Sequence, residues 1–310
     1  MNRTLRLTSS LILVLAIAGC GGSETVPLAP QDGNPFAEYT VGVAGSFEVV
    51  TWNLHFFAED AHNEEVALVA QAILAMDADL VAVQEIAQPT RFNQLLGQLP
   101  GWSGYLAGPD GFEIGYVWCD STVTVNAVRS IYTDQWRAFH RPPLVLELTW
   151  QDHDLVVINN HLMCCGDGIL DRDDPDDREN RRWQACLLLE EWIATEHPDE
   201  SVLLVGDLND SIIDEDPHNV FEPFLMQPQL YRFADLAVAL GPPSGWSWRG
   251  SSSNSHLDHI LVTDELFGAL AADGTKCYTV RLDRALDGEY DDKMSDHLPV
   301  ALVVPGSALP

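Results

Sequence analysis

The segment that decides the fold class is Asp79-Leu80-Val81-Ala82-Val83-Gln84-Glu85, in which four apolar residues are followed by an amide and a carboxylate. A continuous apolar run of this length is typical of a strand that is buried on both faces of a sheet. The preceding segment, Asn63–Met76, has apolar residues at helical spacing. A helix followed by a buried strand predicts a layered α/β domain, with Glu85 placed where the strand ends.

The same alternation of apolar runs and amphipathic segments continues along the chain. Further helices are predicted at Thr90–Leu99 and Arg178–Glu196. Further strands are predicted at Phe47–Trp52, Ile114–Trp118, Val123–Val128, Leu144–Trp150, Leu155–Asn159, Val202–Val205, Ile260–Val262 and Pro299–Val304. Strands and helices alternate at first and antiparallel pairs follow, so we expect α/β layers around mixed sheets rather than one parallel sheet.

The first 19 residues resemble a bacterial lipoprotein signal. Arg3 and Arg6 precede the apolar run Leu11–Ala18, which is too short to span a bilayer comfortably as a mature helix, and small residues then lead to Cys20. The resemblance implies export and lipidation of Cys20, with a cell-envelope location anchored in the outer membrane because no Asp follows the cysteine. An ordinary signal peptide or an uncleaved anchor is the alternative.

Residues 20–45 are predicted to form a flexible linker, because they contain Pro27, Pro30 and Pro35 and show no clear periodicity. The folded domain is predicted to comprise residues 46–305 and to be monomeric.

The chain is strongly acidic, with 47 Asp and Glu against 16 Lys and Arg and a net charge of −31. Removal of the signal, which holds Arg3 and Arg6, brings the net charge to −33. Such a surface repels polyanions and argues against a broad basic footprint for nucleic acid. Acidic residues also solvate a protein surface, which is the simpler interpretation.

Five cysteines remain beyond Cys20, and export would place them in an oxidising compartment. Five is an odd number, so at least one thiol has no partner within the chain. Adjacent Cys164 and Cys165 could bridge each other only with strain, and a bridge from one of them to Cys186 is favoured. The spacing does not indicate a zinc site.

Polar residues stand at the ends of six apolar strands. They are Asn53, Glu85, His161, Asp207 with Asn209, Asp258 with His259, and Asp296 with His297. Each alone has an ordinary explanation, such as a solvated loop carboxylate or a structural histidine. Strand ends of α/β folds converge on one rim, so the joint pattern predicts a single cleft lined by acids, amides and imidazoles.

These motifs resemble those of the endonuclease/exonuclease/phosphatase (DNase I-like) superfamily. The matching stretches are Thr51–Leu54, Asp79–Glu85, Asn160–Leu162, Gly206–Asn209, Leu257–Leu261 and Ser295–Val300, in the family's order. The resemblance covers nearly the whole mature domain. It implies an α/β fold: a four-layer α/β sandwich of two packed mixed β-sheets flanked by helices, with the site at their shared rim.

The resemblance also implies roles for individual residues in a metal-dependent phosphoester hydrolase. Three residues would hold Mg²⁺ or Mn²⁺, which prefer oxygen ligands: Asn53, Glu85 and Asp296.

The catalytic set implied by the resemblance is His161, Asp207, Asn209, Asp258 and His297. Asp207 would orient or deprotonate the attacking water, and Asn209 would hold that water or the phosphate. His161 and His297 would donate hydrogen bonds to phosphate oxygens. Asp258 would orient His297 and raise its pKa.

Tyr116 and Arg141 resemble secondary phosphate contacts, although a packing or surface role fits each equally well. His256 and His259 flank Asp258 and could line the cleft, whereas His55 is assigned to the surface or to a structural role. The substrate could be nucleic acid, a phospholipid head group or a small phosphate. The favoured activity is that of a phosphodiesterase or nuclease. A phosphomonoesterase of small or inositol phosphates and a non-catalytic binding module remain as alternatives.

Overall fold

Two mixed six-stranded sheets lie at the centre of the fold. The computed structural model describes residues 33–58, 63–108, 113–250 and 252–310, so the signal and residues 20–32 of the predicted linker lie outside the described residues. In chain order, the described strands β1 to β14 are Ser46–Phe57, Leu80–Ile86, Trp102–Leu106, Glu113–Cys119, Val123–Ser130, Leu144–Trp150, His153–His161, Val202–Asp207, Tyr231–Phe233, Trp248–Arg249, Asn254–Ser255, Asp258–Thr263, Lys276–Thr279 and Val300–Pro305. The described helices α1 to α7 are Asn63–Met76, Pro89–Leu96, Arg178–Glu196, Glu222–Leu225, Leu236–Ala239, Phe267–Leu270 and Tyr290–Lys293.

The first sheet has the strand order β13-β14-β1-β2-β4-β3 and the second has the order β5-β6-β7-β8-β12-β9. Each sheet has a parallel pair at its middle, β1 with β2 and β7 with β8. In these pairs Asn53 lies opposite Gln84, and His161 lies opposite Asp207. The parallel pairing therefore brings the carboxyl ends of these strands to one rim.

The core is arranged in layers. Leu80 and Ala82 face the second sheet and pack in the cluster between the sheets. Val81 and Val83, on the opposite face of the same strand, pack in the cluster that contains residues of α1 and α2. The outer face of the second sheet is covered by α3 and α4. The order helix, sheet, sheet, helix confirms the predicted four-layer sandwich, and it explains why β2 is apolar at successive positions.

The amino-terminal boundary of the domain lies earlier than predicted. Phe36 and Val41 are buried in the core cluster under α1. The backbone N–H groups of Val41 and Gly42 both donate to the carbonyl of Met76, at 2.8 and 2.9 Å. The prediction that the flexible linker reaches residue 45 is therefore wrong for its last part. At the other end Leu309 is also buried, so the packed domain continues beyond residue 305.

The predicted bridge between Cys186 and one of the adjacent cysteines is wrong. Cys186 is buried within the helical layer of α3, and the five cysteines of the described residues are all free thiols. In the same described part of the chain, no helix has both the length and the apolar character needed to cross a membrane.

Candidate active site

Side chains from the ends of both sheets meet at one rim. His161 Nε2 lies 3.6 Å from Glu85 Oε1 and 3.6 Å from Asp207 Oδ2. Asp207 Oδ2 lies 3.8 Å from His297 Nε2, which in turn lies 3.9 Å from Asp296 Oδ1. This continuous series of close distances shows that five of the predicted strand-end residues converge: Glu85, His161, Asp207, Asp296 and His297.

The backbone at Glu85 turns away from the regular strand. Glu85 has φ +59°, and the pairing of β2 with β4 is irregular between Val83 and Ile86. Such an irregularity re-aims a side chain, and a left-handed conformation at a residue other than glycine is sustained only where its surroundings hold it. Here the carboxylate accepts hydrogen bonds from the backbone N–H of Phe56 at 3.1 Å and from Asn53.

Asn53 joins the two carboxylates at the centre of the site. Its side-chain nitrogen donates to Glu85 Oε1 at 3.1 Å and to Asp207 Oδ2 at 2.8 Å. Its side-chain oxygen accepts from the backbone N–H of His55 at 2.9 Å. In this arrangement Asn53 orients Glu85 and Asp207, and its oxygen is not directed to the point where they meet.

His297 is held in the charged form by a buried carboxylate. Its Nδ1 lies 2.7 Å from Asp258 Oδ2, and Asp258 is fully buried. Burial alone would lower the pKa of His297, but the charges of Asp258 and Asp207 and the hydrogen bond to Asp258 outweigh it and raise the pKa to about 10. At neutral pH His297 is therefore an imidazolium, with Nε2–H directed toward Asp207 and Asp296.

The backbone around His297 is fixed from several sides. The carbonyl of His297 accepts from Tyr290 Oη at 2.8 Å and from Trp52 Nε1 at 3.3 Å. Ser295 Oγ donates to the carbonyl of Asn53 at 2.7 Å and accepts from the backbone N–H of His297 at 2.9 Å. Since Asn53 and Trp52 belong to β1, these bonds join the His297 loop to the strand that supplies Asn53.

The pKa values of Asp207 and His161 are shifted in directions that suit proton transfer by the carboxyl group and hydrogen bonding by an uncharged imidazole. Burial raises the pKa of Asp207 to about 7, with the charge of His297 opposing and that of Asp258 adding to the shift. Burial also holds the pKa of His161 well below its usual range, helped by the charges of Arg141, His297 and His140. At neutral pH the site therefore combines a carboxyl group that is about half ionised, a neutral imidazole and a charged imidazole.

The oxygen atoms of the site fit a hard divalent cation. Trp248 Nε1 donates to Asp296 Oδ2 at 2.9 Å, while the buried Asp296 Oδ1 has no hydrogen-bond partner among the described residues. Glu85, His161 and Asp207 also present ligand atoms within 4.8 Å of one another. A buried carboxylate oxygen that accepts no hydrogen bond and lies beside further carboxylates is the type of donor that Mg²⁺ and Mn²⁺ accept.

The other predicted site residues differ in position. Asn209, at φ +56°, donates from its backbone N–H to Asp207 Oδ1 at 3.1 Å, so it borders the site. Burial lowers the pKa of Arg141, and the charges of Glu85 and Asp207 oppose that shift, which places its guanidinium in the field of the cleft.

Tyr116 is fully buried, and its hydroxyl lies 2.8 Å from the carbonyls of Leu144 and Val157. That position corresponds to packing between the sheets and contradicts a substrate contact.

Two site residues were not identified from the sequence. His55, for which the sequence indicates a surface or structural role, lies with Nδ1 3.5 Å from Asp296 Oδ1. Trp248 holds Asp296 in place by donating a hydrogen bond to its carboxylate. Only the position of Trp248, shortly before the Asp258 motif, hinted at its role.

His256 and His259 belong to a separate buried cluster with Asp235. Asp235 Oδ2 lies 2.8 Å from His256 Nε2 and 2.6 Å from His259 Nδ1, and His259 Nε2 lies 2.9 Å from the carbonyl of Asp210. These are direct hydrogen-bond distances between side chains that are closed to solvent. The two histidines therefore do not line the cleft, and His259 supports the loop after β8 through the carbonyl of Asp210.

The geometry agrees with a comparison with known families. A sequence model described as the endonuclease/exonuclease/phosphatase family matches residues 50–297. The chain belongs to this family. The matched region contains all the residues that meet at the rim. Membership makes the protein one of a family of phosphoester hydrolases.

Solved structures of the endonuclease/exonuclease/phosphatase fold resemble the chain over most of its length. The D. rerio TDP2 complexed with a single-strand DNA product is 14% identical, with a TM-score of 0.62, covering 84% of this chain and 98% of that one. A family protein from Bacteroides vulgatus is 15% identical, with a TM-score of 0.60 and coverage of 84% and 98%. The human Nocturnin catalytic domain with bound sulfate is 17% identical, with a TM-score of 0.60 and coverage of 85% and 96%. No curated protein matches the sequence significantly. At these identities the structures support the shared fold.

Proposed function

We propose that the protein is an exported, lipid-anchored enzyme that hydrolyses phosphodiester bonds, as a phosphodiesterase or a nuclease, and that depends on a divalent metal ion. The observation that carries the hydrolytic activity is the position of Asp207 between a neutral and a charged imidazole, 3.6 Å from His161 and 3.8 Å from His297. Family membership supports phosphoester hydrolysis, and one relative of similar fold was solved with a single-strand DNA product.

The reaction would proceed by attack of water on phosphorus. Asp207, with a pKa near 7, accepts the proton of the attacking water, and the backbone N–H of Asn209 holds the other carboxylate oxygen. His297 donates a charged hydrogen bond to a phosphate oxygen as negative charge increases there, and its proton is retained because Asp258 stabilises the imidazolium. The bond from phosphorus to the leaving oxygen then breaks, the leaving oxygen takes a proton from solvent, and Asp207 releases to solvent the proton that it accepted.

Glu85 and Asp296 would hold Mg²⁺ or Mn²⁺, with Asn53 beside them. When bound, such an ion neutralises charge on the phosphate and the leaving oxygen. Asn53 restrains the Glu85 carboxylate, and Trp248 restrains that of Asp296, so both acids are oriented before an ion binds. Arg141, in the field of Glu85 and Asp207, would contact a second phosphate oxygen.

A substrate panel tests the activity. The full-length protein is assayed on bis- and mono-(p-nitrophenyl) phosphate, single- and double-stranded DNA and sphingomyelin, with Mg²⁺ or with a chelator. We expect cleavage of diesters that disappears with chelation. Preference for the monoester would favour a phosphomonoesterase, and no turnover of any substrate would favour a binding module.

Variants assign the activity to the site. Glu85→Gln should lower turnover by about 100-fold or more while the unfolding temperature changes little. His297→Ala should lower turnover to a similar degree, and it should also lower the unfolding temperature because the buried Asp258 carboxylate loses its partner. Glu196→Gln, at an exposed position of α3, is the matched control and should retain full turnover. Full turnover in Glu85→Gln would contradict the assigned site.

The anchor is tested separately from the activity. In a bacterial host, the wild type should partition with membranes and incorporate labelled fatty acid. Cys20→Ser should do neither and should retain the turnover of the folded domain. Release of the wild type as an unlabelled protein would favour an ordinary signal peptide.

A further inference from the structure

Two adjacent cysteines lie next to each other on the surface beside the active site. Cys164 and Cys165 follow His161 in the turn that leaves β7, and both side chains are exposed. Their sulfur atoms are 2.8 Å apart. A disulfide bond has a length of about 2.05 Å, so the two sulfurs need to move only slightly closer to form one.

The backbone of this turn is held by buried side chains of α3. Arg182, which is buried, donates from Nη1 to the carbonyls of Met163 and Cys165 at 2.8 and 2.7 Å. Glu179, also buried, accepts from the backbone N–H of Gly168 at 2.7 Å. Both ends of the turn are therefore anchored to the same helix.

The anchoring also fixes the local conformation. Cys165 has φ +69°, a left-handed conformation that few residues other than glycine adopt. Gly166 follows, and a Cβ on it would lie 2.0 Å from the carboxylate of Glu179. The turn is thus confined to a conformation in which the two thiols remain next to each other, so little conformational entropy is lost when they bond.

We propose that Cys164 and Cys165 are a reversible dithiol site that closes a disulfide between neighbouring residues. The oxidant is a disulfide of a small thiol or of a protein thiol oxidase. One thiolate attacks a sulfur of that disulfide and releases a thiolate; the other then attacks the mixed disulfide and releases the second. The protein loses two protons and two electrons, and the oxidant gains them as two thiols.

The disulfide between Cys164 and Cys165 would take part in thiol–disulfide exchange and would add little to the stability of the fold. A bridge between adjacent residues closes almost no loop, and the stabilisation by a disulfide becomes smaller as the closed loop becomes shorter. Adjacent Cα atoms are about 3.8 Å apart, below the usual span of about 4.4–6.8 Å for a disulfide, so the ring is strained and readily reduced. Exposed, strained disulfides are the labile ones.

Thiol trapping and peptide mapping test the site. The reduced full-length protein is equilibrated with mixtures of oxidised and reduced glutathione, trapped with N-ethylmaleimide and digested with trypsin. The peptide Ala138–Arg172 contains Cys164 and Cys165 and no other cysteine, because Arg141 precedes a proline. Cys119, Cys186 and Cys277 each fall in a different peptide.

We expect the oxidised peptide to lack two hydrogens and to carry neither glutathione nor N-ethylmaleimide, with full recovery of both thiols on mild reduction. Cys164→Ser and Cys165→Ser should instead accumulate one glutathione adduct, because the remaining thiol has no neighbour to displace it. The unfolding temperatures of the oxidised and reduced forms should be nearly equal.

Three results would overturn the proposal. They are two glutathione or two N-ethylmaleimide adducts on this peptide under the most oxidising mixture, a cross-link to the peptide of Cys186, and a marked rise in unfolding temperature on oxidation. The test measures no turnover, so its outcome does not depend on the proposed phosphodiesterase activity.

Discussion

At the scale of single residues, the charge on His297 depends on Asp258. Asp258→Asn keeps the shape but removes the charge that outweighs the burial of His297. We expect kcat to fall by about 10²–10⁴-fold, because the imidazolium that faces the phosphate is lost. Steady-state kinetics with the diester substrate measure the effect. Asp273→Asn, at an exposed position, is the control, and an equal loss in both variants would contradict the role of the pair.

Trp248 acts on the site through Asp296. Trp248→Phe removes the N–H that donates to Asp296 Oδ2 but keeps an aromatic ring. We expect the Mg²⁺ concentration for half-maximal activity to rise about tenfold, since loss of such a partner typically weakens a metal site to this degree. Calorimetric titration with Mn²⁺ should show the same weakening.

Trp246→Phe is the matched control for Trp248, because Trp246 Nε1 donates to the carbonyl of Ala239. Its metal dependence should equal that of the wild type. Unchanged Mn²⁺ affinity in Trp248→Phe would show that Asp296 does not hold the ion.

The residues predicted from the sequence were those that stand at the ends of apolar strands. Glu85 and Asp207 could be found because a buried strand ends at or beside each of them, and His297 because another buried strand begins shortly after it. His55 could not, since its approach to Asp296 follows from a left-handed backbone, φ +41°, at the end of β1. Asp235 was missed because its partners come from a different segment of the chain.

At the scale of elements, Gly206 permits β7 and β8 to pair where the site begins. It has φ +142°, and a Cβ would lie 1.9 Å from the carbonyl oxygen of Asn160. Gly206→Ala should lower the free energy of unfolding by about 2–4 kcal/mol and reduce turnover, because the strands that position His161 and Asp207 must separate. Urea unfolding and kinetics measure the two effects.

Gly288→Ala separates backbone strain from the steric clash. Gly288 has φ +89° and open space around the position of a Cβ. Gly288→Ala should lower the free energy of unfolding by only about 1 kcal/mol and should retain full activity. Equal destabilisation in the two variants would contradict the clash at Asn160.

The Asp235 cluster joins β12 to the loops after β8 and β9, and its contribution should depend on pH. Burial alone would raise the pKa of Asp235 and lower that of His259, but their mutual attraction reverses both shifts. The lowered pKa of Asp235 stabilises the fold above pH 3.8, an effect lost in acid. The raised pKa of His259 stabilises it below pH 6.5, an effect lost as the pH rises through the folded pKa.

Asp235→Asn should therefore destabilise the protein most between pH 3.8 and 6.5, by about 3–5 kcal/mol, and less on either side. Urea unfolding of the wild type and the variant across the pH range measures the difference. A difference that does not vary with pH would mean that the cluster is uncharged.

The elements predicted correctly were those with a long, unambiguous period. The bounds of α1, α3 and β6 agree with the structure residue for residue. The short edge strands β3, β9 and β13 were missed, since three to five residues of mixed burial show no clear period. The predicted linker is too long because its prolines and lack of periodicity indicate a flexible segment, whereas Phe36 and Val41 are buried by packing against residues distant in sequence.

At the scale of the whole molecule, the active site works within an acidic protein. A net charge of −31 gives a negative field around a cleft in which His297 and Arg141 supply positive charge. Small phosphodiesters are little affected by that field, whereas a nucleic acid strand is repelled along its length. The field therefore acts on the encounter with long anionic substrates and leaves the chemistry at Asp207 unchanged.

Salt should reveal this repulsion. With Mg²⁺ held constant, kcat/KM for a single-stranded DNA oligonucleotide should rise as NaCl increases from about 10 to about 150 mM, because the Debye length falls from about 30 to about 8 Å and screens the acidic surface. A nuclease with a basic surface shows the opposite slope, since salt competes for its phosphate contacts. Bis(p-nitrophenyl) phosphate, which carries one charge, is the control and should show a much weaker dependence. A steep fall in DNA cleavage with added salt would mean that the arginines near the cleft, rather than the net charge, govern binding.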